Sequence, residues 1–195
     1  MIDKSEVIEF FNGLAASWDG DMIRSDEVIS LILDNAGVKK GTRVLDIACG
    51  TGVLIPDYLE REVGSVAGVD ISPEMIKIAS EKFSAENVSF LCADAETDDI
   101  GSGYDVIVIY NAFPHFPNPG LLISRLSGLL VPGGRLTVAH GMSREKIDAH
   151  HSGAAHAVSN GLMSAEELAD IFKTSLKVTK VISDDRMYQV VGEKN

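Results

Sequence analysis

The residues with the clearest capacity for chemistry form a glycine-rich run, Arg43-Val44-Leu45-Asp46-Ile47-Ala48-Cys49-Gly50-Thr51-Gly52. Its apolar start predicts a short buried strand, and its glycines predict a tight turn into a helix. Gly50 and Gly52 allow positive φ and let a ligand approach the main chain, where the N–H groups of the following helix face it. Asp46 would repel a pyrophosphate and attract a cation. The run therefore predicts a nucleotide-type cradle that favours positive charge.

The glycine-rich run differs at two places from Gly-x-Gly-x-x-Gly, the motif of a nicotinamide dehydrogenase. Ile55 stands where the third glycine is needed, and Asp46 lies inside the turn. The run Val44–Gly52 instead resembles the glycine-rich motif of the class I S-adenosylmethionine-dependent methyltransferases, small-molecule branch, and the resemblance covers about residues 41–192. It implies methyl transfer from S-adenosylmethionine to a small soluble acceptor, with S-adenosylhomocysteine as product, by a single domain spanning residues 1–195.

The resemblance also implies which residues hold the cofactor. In that family the glycine turn wraps the methionine part, an acid after the second strand binds the ribose, and an acid after the third strand binds the adenine amino group. The matching acids are Asp46, Asp70 and Asp94, although Asp94 could instead belong to a solvated acidic loop. We expect further cofactor contacts from Ala48, Gly50, Gly52, Ile71, Met75, Ala95 and Asn111, with core packing as the alternative for Met75.

Histidines are confined to residues 115–156. His115 follows the fourth predicted strand and His140 ends the fifth, so both should reach the ligand edge of a parallel sheet. Three interpretations stay open: a general base, a divalent metal held by three imidazoles, or loop histidines without chemistry. We predict His115 first and His140 second as the base, without a metal. We expect the acceptor to contact Trp18, Phe113 and His151.

Two segments are predicted to cover this edge. Residues 1–40 predict a helical cap, because apolar residues at 7, 8, 10, 11 and 14 have helical spacing and Asp26–Ala36 repeats that pattern up to Gly37. Trp18, the only tryptophan, then either faces the cofactor, as the resemblance implies, or simply packs under a surface helix. Residues 141–163, rich in Ala, Gly, Ser and Asn, predict a lid.

The remaining pattern predicts an α/β, Rossmann-like sheet of seven strands, order 3-2-1-4-5-7-6, with helices on both faces. β-branched runs at 65–70, 88–91, 104–110 and 135–140 predict strands 2 to 5. The last two strands, at 176–182 and 187–192, are joined by only Ser183-Asp184-Asp185-Arg186. A parallel crossover needs a far longer connection, so strand 7 must be antiparallel.

Bulk properties exclude several classes of function. A net charge of −12 argues against nucleic acid as a partner, because that affinity depends on clustered Lys and Arg. The longest apolar run, Val106–Tyr110, is too short for a membrane span. Charged residues among the first ten predict no signal peptide and a cytoplasmic protein.

Two alternatives to a small-molecule methyltransferase stay open. One is a non-catalytic regulatory protein that binds S-adenosylmethionine or a metal, and the other, more distant, is a nicotinamide dehydrogenase. The composition around the predicted pocket is compatible with quinones, thiols, amines and carboxylates as acceptors.

Overall fold

The structure, a computed structural model, describes residues 2–151 and 158–195, apart from the side chains of Asp21 and of residues 148–151. The strands are β1 Arg43–Ile47, β2 Ser65–Asp70, β3 Val88–Cys92, β4 Tyr104–Tyr110, β5 Leu130–His140, β6 Lys177–Ser183 and β7 Tyr188–Glu193. The helices are α1 Lys4–Leu14, α2 Trp18–Asp21, α3 Asp26–Ala36, α4 Ile55–Glu60, α5 Pro73–Lys82, α6 Pro119–Leu129, α7 Arg144–His151 and α8 Ala165–Phe172, with a short 3-10 helix at Phe113–His115.

The strands form one sheet in the order β3-β2-β1-β4-β5-β7-β6. Strands β1 to β5 pair in parallel, whereas β7 pairs antiparallel with both β5 and β6. The predicted strand order and the antiparallel seventh strand are therefore confirmed. The order reverses at β1, so the carboxyl ends of β1 and β4 flank the crevice in which open α/β sheets bind ligands.

Side chains of the central strands alternate between two hydrophobic cores, one on each face of the sheet. Leu45, Ile47, Ile107 and Ile109 pack with α6 and α8 in one core. Val44, Val66, Val106 and Val108 pack with α3 and α4 in the other. Since both faces are covered, these strands are apolar almost throughout, as parallel strands buried on both sides must be.

Helix starts near the site follow from local chemistry. The Ser72 hydroxyl accepts a hydrogen bond from Met75 N–H, and Pro73 occupies the first turn of α5. Ser164 and Glu167 form both halves of a capping box at the start of α8. The first of these caps fixes the loop after β2 at the sheet edge.

Element boundaries differ from the prediction in three places. Pro132-Gly133-Gly134 lies within β5 rather than before it, and the register against β4 shifts there. A Cβ on Gly134 would lie 3.1 Å from the Tyr104 and Asp105 carbonyl oxygens of β4, so glycine lets the two strands approach this closely. Strand β3 runs one residue further than predicted, to Cys92, and α7 occupies part of the segment that was predicted to be a lid.

Candidate active site

An enclosed, mostly apolar cavity lies where the chain leaves strands β1, β2, β3 and β4. Its floor is the turn after β1, its sides are the loops after β2, β3 and β4, and its cover is formed by α1 and α2. Three carboxyl groups, those of Asp46, Asp70 and Asp94, line it together with His115. This combination of apolar walls and a few polar groups is typical of a small-molecule site.

The turn after β1 holds its residues in left-handed backbone conformations. The φ angles are 55° at Ala48, 55° at Gly50 and 83° at Gly52. For Ala48 this conformation costs about 1–2 kcal/mol, and such strain is often found at functional sites. A Cβ on Gly50 would lie 3.5 Å from Trp18 Nε1, so α2 sits directly over the turn.

Asp70 connects the tip of β2 to that turn. Its Oδ2 accepts a hydrogen bond from Gly50 N–H at 2.9 Å, and its Oδ1 accepts one from Ser72 N–H at 2.8 Å. Burial raises the pKa of Asp70, while these two bonds oppose the shift. Each oxygen keeps a second lone pair, so the carboxylate can also accept bonds from ligand hydroxyls in the cavity.

Asp94, after β3, is bound to the N-terminal helix. Lys4 Nζ lies 2.5 Å from Asp94 Oδ2 and 2.6 Å from Glu96 Oε2. Partial burial raises the pKa of Asp94, but the hydrogen bonds from Lys4 and from Glu96 N–H outweigh it, so that pKa is lowered overall. The loop after β3 is thus charged, and α1 covers it.

The N-terminal segment also contacts the loops after β1 and β2. Asn12 Oδ1 accepts a hydrogen bond from the Ser72 hydroxyl at 2.7 Å. Asp19 accepts bonds from the Thr51 hydroxyl and from Lys82 Nζ, both at 2.6 Å. Together with the Lys4 contacts, these bonds attach α1 and α2 to three successive strand-end loops across the mouth of the cavity.

Aromatic rings continue the cavity wall toward β4. Phe11 packs edge-to-face on Trp18, with ring centroids 5.7 Å apart, and on His115, with centroids 5.0 Å apart. A sulfonium or ammonium group near these rings would be attracted to their faces. The cover over the glycine turn therefore also touches the predicted base.

The segment after β4 fixes the orientation of His115. Asn111 has a φ of 55°, and its Oδ1 accepts a hydrogen bond from Gly141 N–H at 3.0 Å. His115 Nδ1 lies 2.7 Å from the Val158 carbonyl oxygen. A carbonyl oxygen can only accept, so the proton is on Nδ1, and in the neutral ring Nε2 is the basic nitrogen.

Asp46, at the end of β1, is the most deeply buried of the three acids. Burial, together with the negative charges of Asp70 and Asp57, raises the pKa of Asp46 to about 8, while the Tyr58 hydroxyl acts in the opposite direction. At neutral pH the carboxyl group is therefore largely protonated until a cation approaches it.

Comparison with known proteins identifies this architecture. Residues 44–134 match a family described as methyltransferase domain. The chain is 30% identical, over 70% of its own length and 49% of the relative's, to a malonyl-[acyl-carrier protein] O-methyltransferase of Acetivibrio thermocellus.

Solved structures of methyltransferases share the fold of this chain. The magnesium protoporphyrin IX methyltransferase of Synechocystis, solved with S-adenosylhomocysteine (SAH), superimposes with a TM-score of 0.72 at 18% identity, covering 98% of this chain and 99% of that one. A Haloferax volcanii methyltransferase in complex with the activator Trm112 superimposes with a TM-score of 0.81 at 20% identity, covering 94% and 97%. The chain therefore contains a stretch that matches a methyltransferase-domain model, and it shares the fold of S-adenosylmethionine-dependent methyltransferases. It spans about half the length of the relative of known name that it matches.

The cavity fits the chemistry of S-adenosylmethionine, the cofactor that the similar methyltransferases imply. Among the described residues that line it, Lys4 is the only lysine or arginine, and its ammonium group is already paired with two carboxylates. Asp46 and Asp70 are thus left facing a space that suits a ligand with a sulfonium and an ammonium group. A pyrophosphate would meet both acids unfavourably.

Most of the predicted cofactor residues come together in this cavity. The lining includes, as predicted, Asp46, Ala48, Gly50, Asp70, Ile71, Met75, Asp94, Ala95 and Asn111, and also Trp18 and His115. The convergence has a simple cause: each of the predicted cofactor positions follows a parallel strand, and those carboxyl ends meet at one edge.

Three predicted residues do not line the cavity. Gly52 faces the Phe83 ring, 2.7 Å from where a Cβ would stand, so its missing side chain makes room for packing rather than for a ligand. Phe113 is 2% exposed and belongs to the core with α6 and α8. His140 is 2% exposed and packs edge-to-face on Tyr188. The structure therefore places these three residues outside the cavity wall in which the prediction put them.

The last of the predicted contacts falls outside the described part of the chain. His151 ends helix α7, and its side chain is not described, nor is His156. Within the described ranges there is no group of three His, Cys, Asp or Glu residues arranged to hold a metal ion. None of the helices in those ranges is both long and apolar enough to cross a bilayer.

Sequence reasoning missed four residues of the site. Lys4, Phe11 and Val7 line the cavity from α1, although their spacing only indicated an amphipathic helix. Glu96, 4% exposed, binds Lys4 and Asn118 N–H, whereas the acidic run around it suggested solvated surface. The signal for Lys4 was a single cation at the start of a helix with two acids, which does not reveal a partner 90 residues away.

Proposed function

We propose that this protein is an enzyme that transfers a methyl group from S-adenosylmethionine to a small acceptor by in-line displacement, with His115 as general base. The observation that carries the proposal is the cavity itself. It brings three acids and one oriented imidazole around an enclosed apolar space at the reversal point of the sheet. The match of residues 44–134 to a methyltransferase-domain model supports the same reaction.

Each wall of the cavity has a part in binding. The turn at Ala48–Gly50, with Asp46 beneath it, would hold the methionine portion, Asp70 the ribose hydroxyls, and Asp94 with Ala95 the adenine. When bound, S-adenosylmethionine supplies an activated methyl group on a sulfonium leaving group. The protein then has to align the acceptor, and alignment alone can contribute about 7–11 kcal/mol to lowering the barrier.

His115 would remove the proton of the acceptor as the acceptor attacks. Its Nδ1–H donates to the Val158 carbonyl, which leaves the Nε2 lone pair as the base. Asn160 N–H donates to the Pro114 carbonyl oxygen at 2.9 Å, which fixes the turn that carries the imidazole. A base is useful for a hydroxyl or thiol and unnecessary for a carboxylate that is already ionised, so we propose an oxygen or sulfur acceptor with an ionisable proton.

Two measurements test this function. Calorimetry should show binding of S-adenosylmethionine and no binding of NAD or zinc. Formation of SAH should then be screened against phenols, aliphatic alcohols, thiols, amines and carboxylic acids. We expect turnover with a hydroxyl or thiol compound. Cofactor binding without turnover on any of these classes would instead favour the non-catalytic regulatory protein, and NAD binding at this cavity would refute the assignment.

A further inference from the structure

One carboxyl group in the cavity wall lacks the partner that a buried charge requires. Asp46 is 2% exposed, and the lysine that lines the same cavity is bound to Asp94 and Glu96. Burial raises the pKa of Asp46, and the carboxylates of Asp70 on β2 and Asp57 on α4 raise it further. Asp57 is paired with Arg24 at 2.7 Å, so that cation is already bound and does not serve Asp46. An isolated buried carboxylate is costly, so this group stays protonated unless a cation arrives.

A second buried polar group faces the first. Tyr58, in α4, is fully buried, and within the described part of the chain its hydroxyl has no hydrogen-bond partner. The hydroxyl stands beside the Asp46 carboxyl and favours its ionised form, without reaching hydrogen-bond geometry. The Cys49 thiol is also close, and burial followed by the Asp46 charge raises its pKa, so it stays neutral. A buried donor without an acceptor costs about 1–3 kcal/mol and indicates a bond made in another state.

We propose that Asp46 and Tyr58 form a proton-release pair that selects cationic ligands: the cofactor's positive charge replaces the proton of Asp46, and the Tyr58 hydroxyl then donates to the resulting carboxylate. The step balances simply. The O–H bond of the Asp46 carboxyl breaks, its proton passes to solvent, and no electrons are transferred. The inference rests on the proposed function, because it assumes that S-adenosylmethionine occupies this cavity.

The pair would set specificity by charge. S-adenosylmethionine and SAH both carry the ammonium group of an amino acid, whereas 5′-methylthioadenosine has the nucleoside and thioether but no positive charge. A neutral ligand does not stabilise the Asp46 carboxylate. Such a ligand should therefore bind without proton release, and the Tyr58 hydroxyl should stay without an acceptor. The cavity should therefore reject neutral nucleosides more strongly as the pH rises.

Calorimetry with the cofactor alone tests this without knowledge of the acceptor. Binding of S-adenosylmethionine is measured at pH 6.5 in buffers of different ionisation enthalpy, which gives the number of protons released. We expect about one proton per ligand, and an affinity that rises about tenfold per pH unit between pH 6 and 7.5. Methylthioadenosine should release none.

Two variants and a control sharpen the test. Asp46→Asn should abolish proton release and flatten the pH dependence. Tyr58→Phe should weaken binding about two- to tenfold at pH 6.5, with the difference from wild type narrowing above pH 8, since the carboxylate is then formed without help from the hydroxyl. Tyr104→Phe is the matched control, because its hydroxyl donates to the Ile100 carbonyl outside the cavity. It should leave the proton count unchanged.

The outcomes separate the two proposals. Binding of S-adenosylmethionine with no proton release, or with equal release in Asp46→Asn, overturns this inference and leaves the methyltransferase assignment intact. Equal proton release by methylthioadenosine also overturns it. Failure of S-adenosylmethionine to bind at any pH would instead overturn the proposed function.

Discussion

At the scale of single residues, the same side chain acquires different roles from its surroundings. His115 and His140 both follow parallel strands, yet only His115 lines the cavity, with its tautomer set by the Val158 carbonyl. His140 is packed against Tyr188 in the interior. From their sequence positions the two histidines were equally good candidates for the base. They differ in the direction of the side chain, which only the structure shows.

Replacing each histidine should therefore give opposite results. We expect His115→Gln to lower kcat about 10²–10⁴-fold, because the base is lost, while the Kd for S-adenosylmethionine stays within about twofold. His140→Gln should lower the free energy of unfolding by about 1–3 kcal/mol and leave kcat of the folded enzyme unchanged. Steady-state kinetics and denaturant unfolding check both. Full turnover in His115→Gln would discard the base assignment.

Asp70 combines a structural and a binding role. Asp70→Ala removes both hydrogen bonds that hold the glycine turn and the loop after β2, and also the acceptor for the ribose. We expect cofactor binding to weaken by about 1–3 kcal/mol and the melting temperature to fall. Asp99→Asn, an exposed acid outside the cavity, serves as control in calorimetry. Unchanged affinity in the folded Asp70→Ala protein would remove the ribose assignment.

At the scale of elements, the N-terminal segment is attached to the rest of the site by polar bonds at its edges and by apolar packing in between. Lys4 joins α1 to the loop after β3, and Phe11 joins it to Trp18 and His115. The segment that covers the cofactor cavity thus also contacts the acceptor side. The same segment therefore covers the cavity and packs against His115, the proposed base.

Breaking the Lys4 attachment should speed cofactor exchange. We expect Lys4→Met to raise the dissociation rate of SAH about three- to tenfold, because two partly buried acids lose their cation. Lys77→Met is the control, since its pair with Glu74 is exposed and 4.0 Å long and contributes little. Fluorescence of Trp18, the only tryptophan, can follow release directly. Identical rates in both variants would show that the segment is not held by Lys4.

At the scale of the whole molecule, the buried Asp46 makes the stability of the unliganded protein fall as the pH rises from about 4 to 8. The folded state keeps a proton on Asp46 up to about pH 8, whereas in the unfolded chain the same carboxyl group ionises near its ordinary pKa of 3.8. Between these values the folded state binds more protons, so its stability falls as the pH rises. The net charge of −12 adds repulsion in the same direction.

Unfolding experiments across pH can separate the two contributions. We expect the free energy of unfolding to fall by up to about 1.4 kcal/mol per pH unit between pH 5 and 8. In Asp46→Asn this slope should largely disappear, and the variant should be more stable than wild type at pH 8. High salt screens the surface repulsion and leaves the buried term, so the slope should persist in 0.5 M salt. A stability that is independent of pH in the wild type would contradict the buried proton.

Local sequence determined the sheet and the cofactor edge. Strand patterns, the short link before β7 and the acids that follow β1, β2 and β3 depend on neighbours along the chain, and parallel topology then brings strand ends together without further information. Tertiary structure alone decided that Gly52 and Phe113 face the core, that His140 is buried, that Lys4 pairs with Asp94 and Glu96, and that Tyr58 faces Asp46. Those outcomes depend on side-chain direction and on contacts between distant segments, and a pattern of residue types specifies neither of them.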